Sequence, residues 1–361
     1  MDGAGAAEIL RDLLRYVKGR SRLYERLIAG VAGATERGFD GGVIPRLLTA
    51  PAAAAPEEVR LLILAALHRA ALDDPDLAHA AWYPTARGDA ARHPDDGAPA
   101  ALALAWLIEN EEQANAFVTT HRLQTNEAGR CAALLTGFLA AASFGKPLRL
   151  LELGASAGLN LRFDRYRYEF SDGPSWGPAV GPLLESRAEG AVPRSLSPPT
   201  VEVTERRGVD LQPIDPLTDE GARLLRAFVW PDEPARHERL TAAIRVAHGT
   251  PATIEQGDLV SWALDNAGPE DGVTTVLFHS QVRHFLTAGA ITQLGDIAER
   301  CLRAATPDAP FAYVSFEPPR GVPADGSNWP EVSVGLSDGS GPPQWRTIAS
   351  SDWHGTWVRW F

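Results

Sequence analysis

The chain has 361 residues, 45% of them hydrophobic, and its 34 Lys and Arg against 46 Asp and Glu give a formal net charge of −12. That length and apolar content support a large core in two domains or one decorated domain, and the scattered basic residues argue against a nucleic-acid surface, which needs a positive footprint to neutralise phosphates. Cys131 and Cys301 stand in no C-x-x-C or metal-ligand spacing, the first residues lack the cationic and apolar regions of an export signal, and no apolar run has the length of a membrane span; the expectation is a soluble cytoplasmic protein without disulfides.

Residues 1–145 carry helical periodicity and almost no strand signal. Ile9, Leu13, Leu14 and Val17, then Leu23, Leu27, Ile28 and Val31, then Val59, Leu62, Ile63, Ala66 and Leu67 recur at three- and four-residue steps, the spacing of an apolar stripe on a helix. A stretch rich in Pro, Gly and Asp at 84–99 separates these from further helices near 101–117 and 126–142. Residues 1–145 are therefore expected to form a helical N-terminal cap domain.

From Leu148 onward short β-branched runs alternate with helical stretches, which predicts a mostly parallel, Rossmann-like α/β sheet over 146–361. Strands are expected at 148–153, at 201–203 with a continuation toward 209, at 252–254, 274–278 and 311–316, and helices at 159–166, 219–229, 238–247 and 291–305. The segments 331–336 and 356–360 lack a long helix between them and predict an antiparallel C-terminal pair. Residues 170–199, rich in Pro, Gly and Ser and containing Trp176, are expected to be an inserted loop or hairpin over the sheet edge.

The turn Gly154-Ala155-Ser156-Ala157-Gly158 after the first strand fits two chemistries. It satisfies the G-x-S-x-G elbow of a serine hydrolase, and, with Glu152 before it, the acidic-x-G-x-x-x-G turn that brings a ligand onto bare backbone at a helix start. A dinucleotide fingerprint is excluded, because Ser156 and Leu159 stand where it needs glycines. The ligand turn is favoured. A hydrolase needs earlier strands and an oxyanion loop that the helical first 145 residues cannot supply, and it places an apolar residue where Glu152 stands. A serine hydrolase using Ser156 with His354 and Asp258 or Glu317 is the alternative class, and a non-catalytic ligand sensor is a third.

S-adenosylmethionine needs bare backbone beside its amino-acid part, an acid after the second strand for the ribose and a polar group after the third for the adenine. Glu152, Gly154, Ala155, Ser156 and Gly158 offer the first, Asp210 the second and Asp258 the third; Glu205 replaces Asp210 if the second strand stops at Val203. Gln124 and Asn126 are candidates to hold the methionine part and Arg130 its carboxylate, with an N-cap role for Thr125 or Asn126 as the simpler explanation. At the reacting end His279 is a candidate general base, or a helix cap. Glu317 can orient His279 or bind a substrate amine, and His354 with Trp353, Trp357 and Trp360 can wall the pocket. A metal triad of His279, Glu317 and His354 has no support from sequence order, and no metal is expected. The expected reaction is methyl transfer to a small-molecule acceptor, with aminopropyl transfer or cyclisation releasing methylthioadenosine as the variant chemistry.

The segments Gln124-Thr-Asn-Glu127 with Arg130, Leu151-Glu-Leu-Gly-Ala-Ser-Ala-Gly-Leu-Asn160, Arg207-Gly-Val-Asp210 with Pro213, Val229-Trp-Pro231 and His354-Gly-Thr-Trp-Val-Arg-Trp360 resemble the bacterial family called domain of unknown function 2332, over nearly the whole chain. The sheet of that family is similar to class I S-adenosylmethionine-dependent methyltransferases, which implies that cofactor. Ser156 departs from the commoner methyltransferase turn, which carries a middle glycine there.

Overall fold

Asp2 accepts the backbone N–H of Gly5 and Ser21 that of Tyr24, which caps the helices Gly3–Val17 and Arg22–Glu36 where their apolar stripes begin. The computed structural model describes residues 1–51, 56–191, 193, 196–319 and 328–361. Its two units are Met1–Thr125 with Thr218–Glu238, and Asn126–Leu217 with Arg239–Phe361.

The first unit is helical. Leu23, Leu27, Ile28 and Val31, and likewise Val59, Leu62, Ile63, Ala66 and Leu67, are buried as the periodicity predicts, whereas in the first helix the buried stripe is Ala6, Leu10, Leu13 and Val17. The helix expected at 101–117 is broken into Pro99–Glu109 and Glu111–Thr120, with Asn110 between them donating its side-chain amide to Trp106 O. Thr218–Glu238 belongs to this unit, not to the sheet domain as the sequence suggested. Asp232 accepts Ser21 Oγ at 2.6 Å and Leu23 N at 3.1 Å, and the Trp230 ring packs edge-on against Tyr16 and Tyr24.

The second unit holds one eleven-stranded sheet in the order β3-β2-β4-β11-β10-β9-β8-β7-β1-β5-β6. Its strands are β1 (Leu148–Leu153), β2 (Arg167–Phe170), β3 (Ser175–Trp176), β4 (Leu183–Gly190), β5 (Val203–Asp210), β6 (Thr253–Gln256), β7 (Thr274–Ser280), β8 (Phe311–Glu317), β9 (Glu331–Ser337), β10 (Gln344–Ser351) and β11 (Trp357–Trp360). The run β6-β5-β1-β7-β8 is parallel throughout, and β9 follows it antiparallel. β1 and β7 are buried along their whole length, hence their continuous apolar sequences. On one face Leu151, Leu153, Leu277, Phe311 and Tyr313 pack with Leu294, Ile297, Cys301 and Leu302 of the helix Ala288–Ala304. Burying each large apolar side chain contributes roughly 1.5–3 kcal/mol.

On the other face the helix Cys131–Ala142 sets Phe138 against Phe163 and Phe278, with ring centroids 4.2 and 5.0 Å apart. That packing puts the helix with the sheet, so the division falls at 125/126 and not at 145/146. Three further expectations are corrected. Of the loop or hairpin expected at 170–199, the hairpin is present, β3 turning back antiparallel on β2, but it is part of the sheet edge and does not cover it. The segment supplies β3 and β4, and β4 pairs parallel with both β2 and β11; residues 192, 194 and 195 lie outside the described residues. Trp176 is buried against Phe163 and donates its indole N–H to Pro198 O at 2.8 Å. The C-terminal antiparallel pair is instead a group of three, because β10 lies between β9 and β11. The helix expected at 159–166 is the 3₁₀ segment Asn160–Arg165, kinked at Arg162. Among the described residues no helix is long and apolar enough to cross a membrane.

Candidate functional site

Along the parallel run β5 and β6 lie on one side of β1, and β7 and β8 on the other, so the strand order reverses between β1 and β7. The carboxyl ends of these two strands are therefore the switch point, where open α/β sheets bind ligands. Of the three non-glycine residues with positive φ among the described residues, two flank this point, Ser156 at 53° after β1 and Gln281 at 59° after β7. Such backbone costs about 1–2 kcal/mol per residue and clusters at functional sites.

The β1 turn is held from β5. Gly154 N and Ala155 N donate to Val209 O at 2.9 and 3.0 Å. Gly154 and Gly158 have φ of 70° and 65°, and a Cβ on either would meet Val282 at 2.6 Å or Ile254 at 2.7 Å, so neither position admits a side chain. Asp210 ends β5 and divides its carboxylate, one oxygen accepting Ser156 N and the other Gln212 N, each at 2.9 Å. Asn126 Oδ1 accepts Leu159 N at 3.0 Å, so it pins the far end of the turn and does not cap a helix. The Ser156 hydroxyl is buried and has no hydrogen-bond partner among the described residues.

Glu152 is 1% exposed. Its Oε1 accepts the Asn160 side-chain amide at 3.1 Å, and its Oε2 has no partner among the described residues. Burial pushes its pKa up to about 8; the Asn160 hydrogen bond and the charges of Arg130 and Arg162 oppose that rise without cancelling it. Asn160 is fixed in turn by the Cys131 thiol, which donates to its Oδ1 at 3.3 Å. Arg162, also buried, donates to Gly158 O at 2.7 Å and Thr250 O at 2.8 Å, which ties the turn to the next segment of chain. Arg206 grips Asp164 through two hydrogen bonds of 2.7 and 2.8 Å and so ties β5 to the 3₁₀ segment.

His279 is committed at both nitrogens. Glu317 Oε1 lies 2.7 Å from Nδ1 and Tyr313 Oη 2.7 Å from Nε2. The ionised carboxylate can only accept, so Nδ1 carries a proton and donates to it, while Nε2 is held by the phenol. The ring therefore has no free nitrogen with which to act as a base, and the expected cap role is likewise not seen. Register places Glu152 opposite Phe278 and Leu153 opposite His279. Glu152 and His279 thus face opposite sides of the sheet.

The remaining candidates lie apart from these two groups. Arg130 Nε donates to Trp353 O at 3.2 Å, and its charge acts on both Glu152 and His284. His354 Nδ1 lies 3.9 Å from Glu127 Oε2, while Glu127 Oε1 accepts Gly129 N and Arg239 Nε. Glu127, not Thr125 or Asn126, is the capping residue of this segment. Asp258 accepts Val260 N and Ser261 N through one oxygen and caps the helix Leu259–Asn266. Gln124 belongs to the first unit. Glu205 pairs with Arg149 at 2.6 Å, well before the end of β5 at Asp210. His354 stands with Glu127 while Glu317 holds His279, so neither the metal triad nor a hydrolase triad at Ser156 is assembled; among the described residues no three His, Cys, Asp or Glu side chains converge as for a metal ion.

Asn160, Arg162 and Tyr313 were missed as site residues. The first two had a signal, a polar and a charged residue alternating with the apolar Leu159, Leu161 and Phe163. Tyr313 reads as an ordinary core aromatic.

Fold and site together define a mixed α/β protein with a large, mostly parallel sheet and buried polar groups at its switch point. The chain belongs to the family described as "Uncharacterized protein conserved in bacteria (DUF2332)", whose model matches residues 7–360. No curated protein matches it.

Proposed function

We propose that the second unit binds S-adenosylmethionine over the carboxyl ends of β1, β5 and β6, and that the protein is a methyltransferase for a small-molecule acceptor. The observation that carries this proposal is Glu152, a buried carboxyl at the switch point with one oxygen held by Asn160 and the other without a partner among the described residues. A buried acceptor left unmatched costs about 1–3 kcal/mol. The α-ammonium of the cofactor's amino-acid part supplies donors there, and its positive charge favours the ionised carboxylate over the protonated form that burial otherwise favours. The parallel strands stand in the order third, second, first, fourth, fifth along the chain, which supports a Rossmann-like, nucleotide-binding sheet.

The other residues fit the group. Arg130 would meet its carboxylate, and the Ser156 hydroxyl would meet it beside the bare backbone of Gly154. Asp210 keeps a second lone pair on each oxygen for the ribose hydroxyls, and Asp258 keeps the oxygen it does not use in capping for the adenine amine. When bound, the cofactor supplies a methyl carbon activated by a sulfonium. The chain's part is to orient that carbon and exclude water.

Calorimetric titration of wild-type protein and Glu152→Gln with S-adenosylmethionine and S-adenosylhomocysteine tests the proposal. Micromolar binding, weakened about tenfold or more in the variant, is the expected result. No heat at millimolar ligand, or equal affinity in both proteins, overturns it.

A further inference from the structure

We infer that the carboxyl ends of β7 and β8 form a second subsite, for the acceptor, and that Glu317 and Gln281 make it selective for a primary amine or ammonium group. This rests on the cofactor proposal above, which assigns the neighbouring side of the switch point.

The geometry separates the two oxygens of Glu317. Oε1 takes His279 Nδ1 at 2.7 Å, Val282 N at 2.8 Å and Arg283 N at 3.2 Å. Oε2 is buried and no described residue donates to it. Tyr313 holds His279 and His279 holds Oε1, so the direction of Oε2 is fixed by a chain of buried hydrogen bonds. Gln281 spends its side-chain amide N–H on Phe316 O at 3.1 Å, which leaves its Oε1 buried and unmatched among the described residues. Its backbone N–H also donates to Phe316 O at 3.1 Å, which sets Gln281 beside the residue that precedes Glu317. The two side chains are only 3% and 6% exposed for Glu317 and Gln281.

The inventory of spare valences selects the ligand group. Glu317 Oε2 and Gln281 Oε1 can only accept. An ammonium has three donors, no acceptor and the charge opposite to Glu317, whereas a carboxylate or phosphate would set lone pairs against lone pairs. Glu317 is ionised for this purpose. Burial pushes its pKa up, but the His279 hydrogen bond and charge and the two backbone N–H groups outweigh that and hold it below the usual carboxylate range.

The test uses full-length protein saturated with S-adenosylhomocysteine, and three probes of one size: 1-aminobutane, 1-butanol and butanoate. Saturation-transfer NMR is expected to show binding of the amine alone, at least about tenfold weaker in Glu317→Gln. Gln281→Gly, which removes the second acceptor at a position whose φ of 59° glycine adopts freely, is expected to weaken the amine severalfold. Preference for the alcohol or the acid, or amine binding unchanged in both variants, overturns the assignment. Titration of S-adenosylhomocysteine into the same variants separates the two proposals. Retained cofactor binding without amine selectivity sinks the acceptor subsite alone, while absent cofactor binding in wild-type protein sinks the switch-point assignment on which it stands.

Discussion

At Glu152 burial and hydrogen bonding pull in opposite directions, and burial wins. The folded state therefore holds a proton that the unfolded chain releases between its ordinary pKa of 4.5 and about 8. For a carboxyl shifted upward, stability is highest below pH 4.5, falls as pH rises through that window and levels off above it. One pKa unit corresponds to about 1.4 kcal/mol, so the loss is of the order of a few kcal/mol. Glu152→Gln carries no titrating proton. Urea denaturation between pH 5 and pH 9 is expected to show the variant losing less stability than wild type, with the curves parting as pH rises; parallel curves would mean that Glu152 titrates normally. His279 marks the opposite case. Its sequence position at the end of a strand suggested a base, yet two 2.7 Å partners leave it holding Glu317 instead.

The ligand turn is an element made by two strands. β1 supplies its glycines, but Asp210 at the end of β5 satisfies the N–H groups of Ser156 and Gln212. Asp210→Asn replaces one accepting oxygen by an amide NH₂, which sets a donor against a donor. The expected cost is about 1–3 kcal/mol, with faster hydrogen exchange at Ser156 and Gln212 and no change at the β7 amides. Unaltered exchange at those two positions would show that the turn holds itself. Strands that are buried on both faces were legible in the sequence, since β1, β7 and β8 each read as apolar runs. β4 and β10 were not. Their outer residues alternate or run exposed, so they carry little apolar signal, and β4 finds its partner β11 only across roughly 170 residues of chain.

At the scale of the molecule, the segment Thr218–Glu238 of the first unit interrupts the second in sequence, and the boundary expected at 145/146 would cut the second one. A fragment starting at residue 146 lacks the helix Cys131–Ala142, whose Phe138 covers Phe278 and whose Gly137 lies against Val314 so closely that a Cβ there would come within 2.5 Å of it. That fragment is expected to aggregate or remain unfolded, because it exposes one whole face of a central strand pair; a soluble, cooperatively folded product on size exclusion and thermal melting would contradict the packing. The sequence by itself determined what short-range pattern can encode: the helical stripes of the first unit, the buried parallel strands, the glycine turn with Glu152 before it, and membership of a family over residues 7–360. Tertiary structure alone decided which polar groups meet. Glu152 and His279 are placed on opposite faces by strand alternation, His354 is drawn to Glu127, and Tyr313 is brought to His279 by the β7–β8 register. The physical reason is that hydrogen bonding acts over about 3 Å in space, whereas these partners lie from 34 to 227 positions apart along the chain.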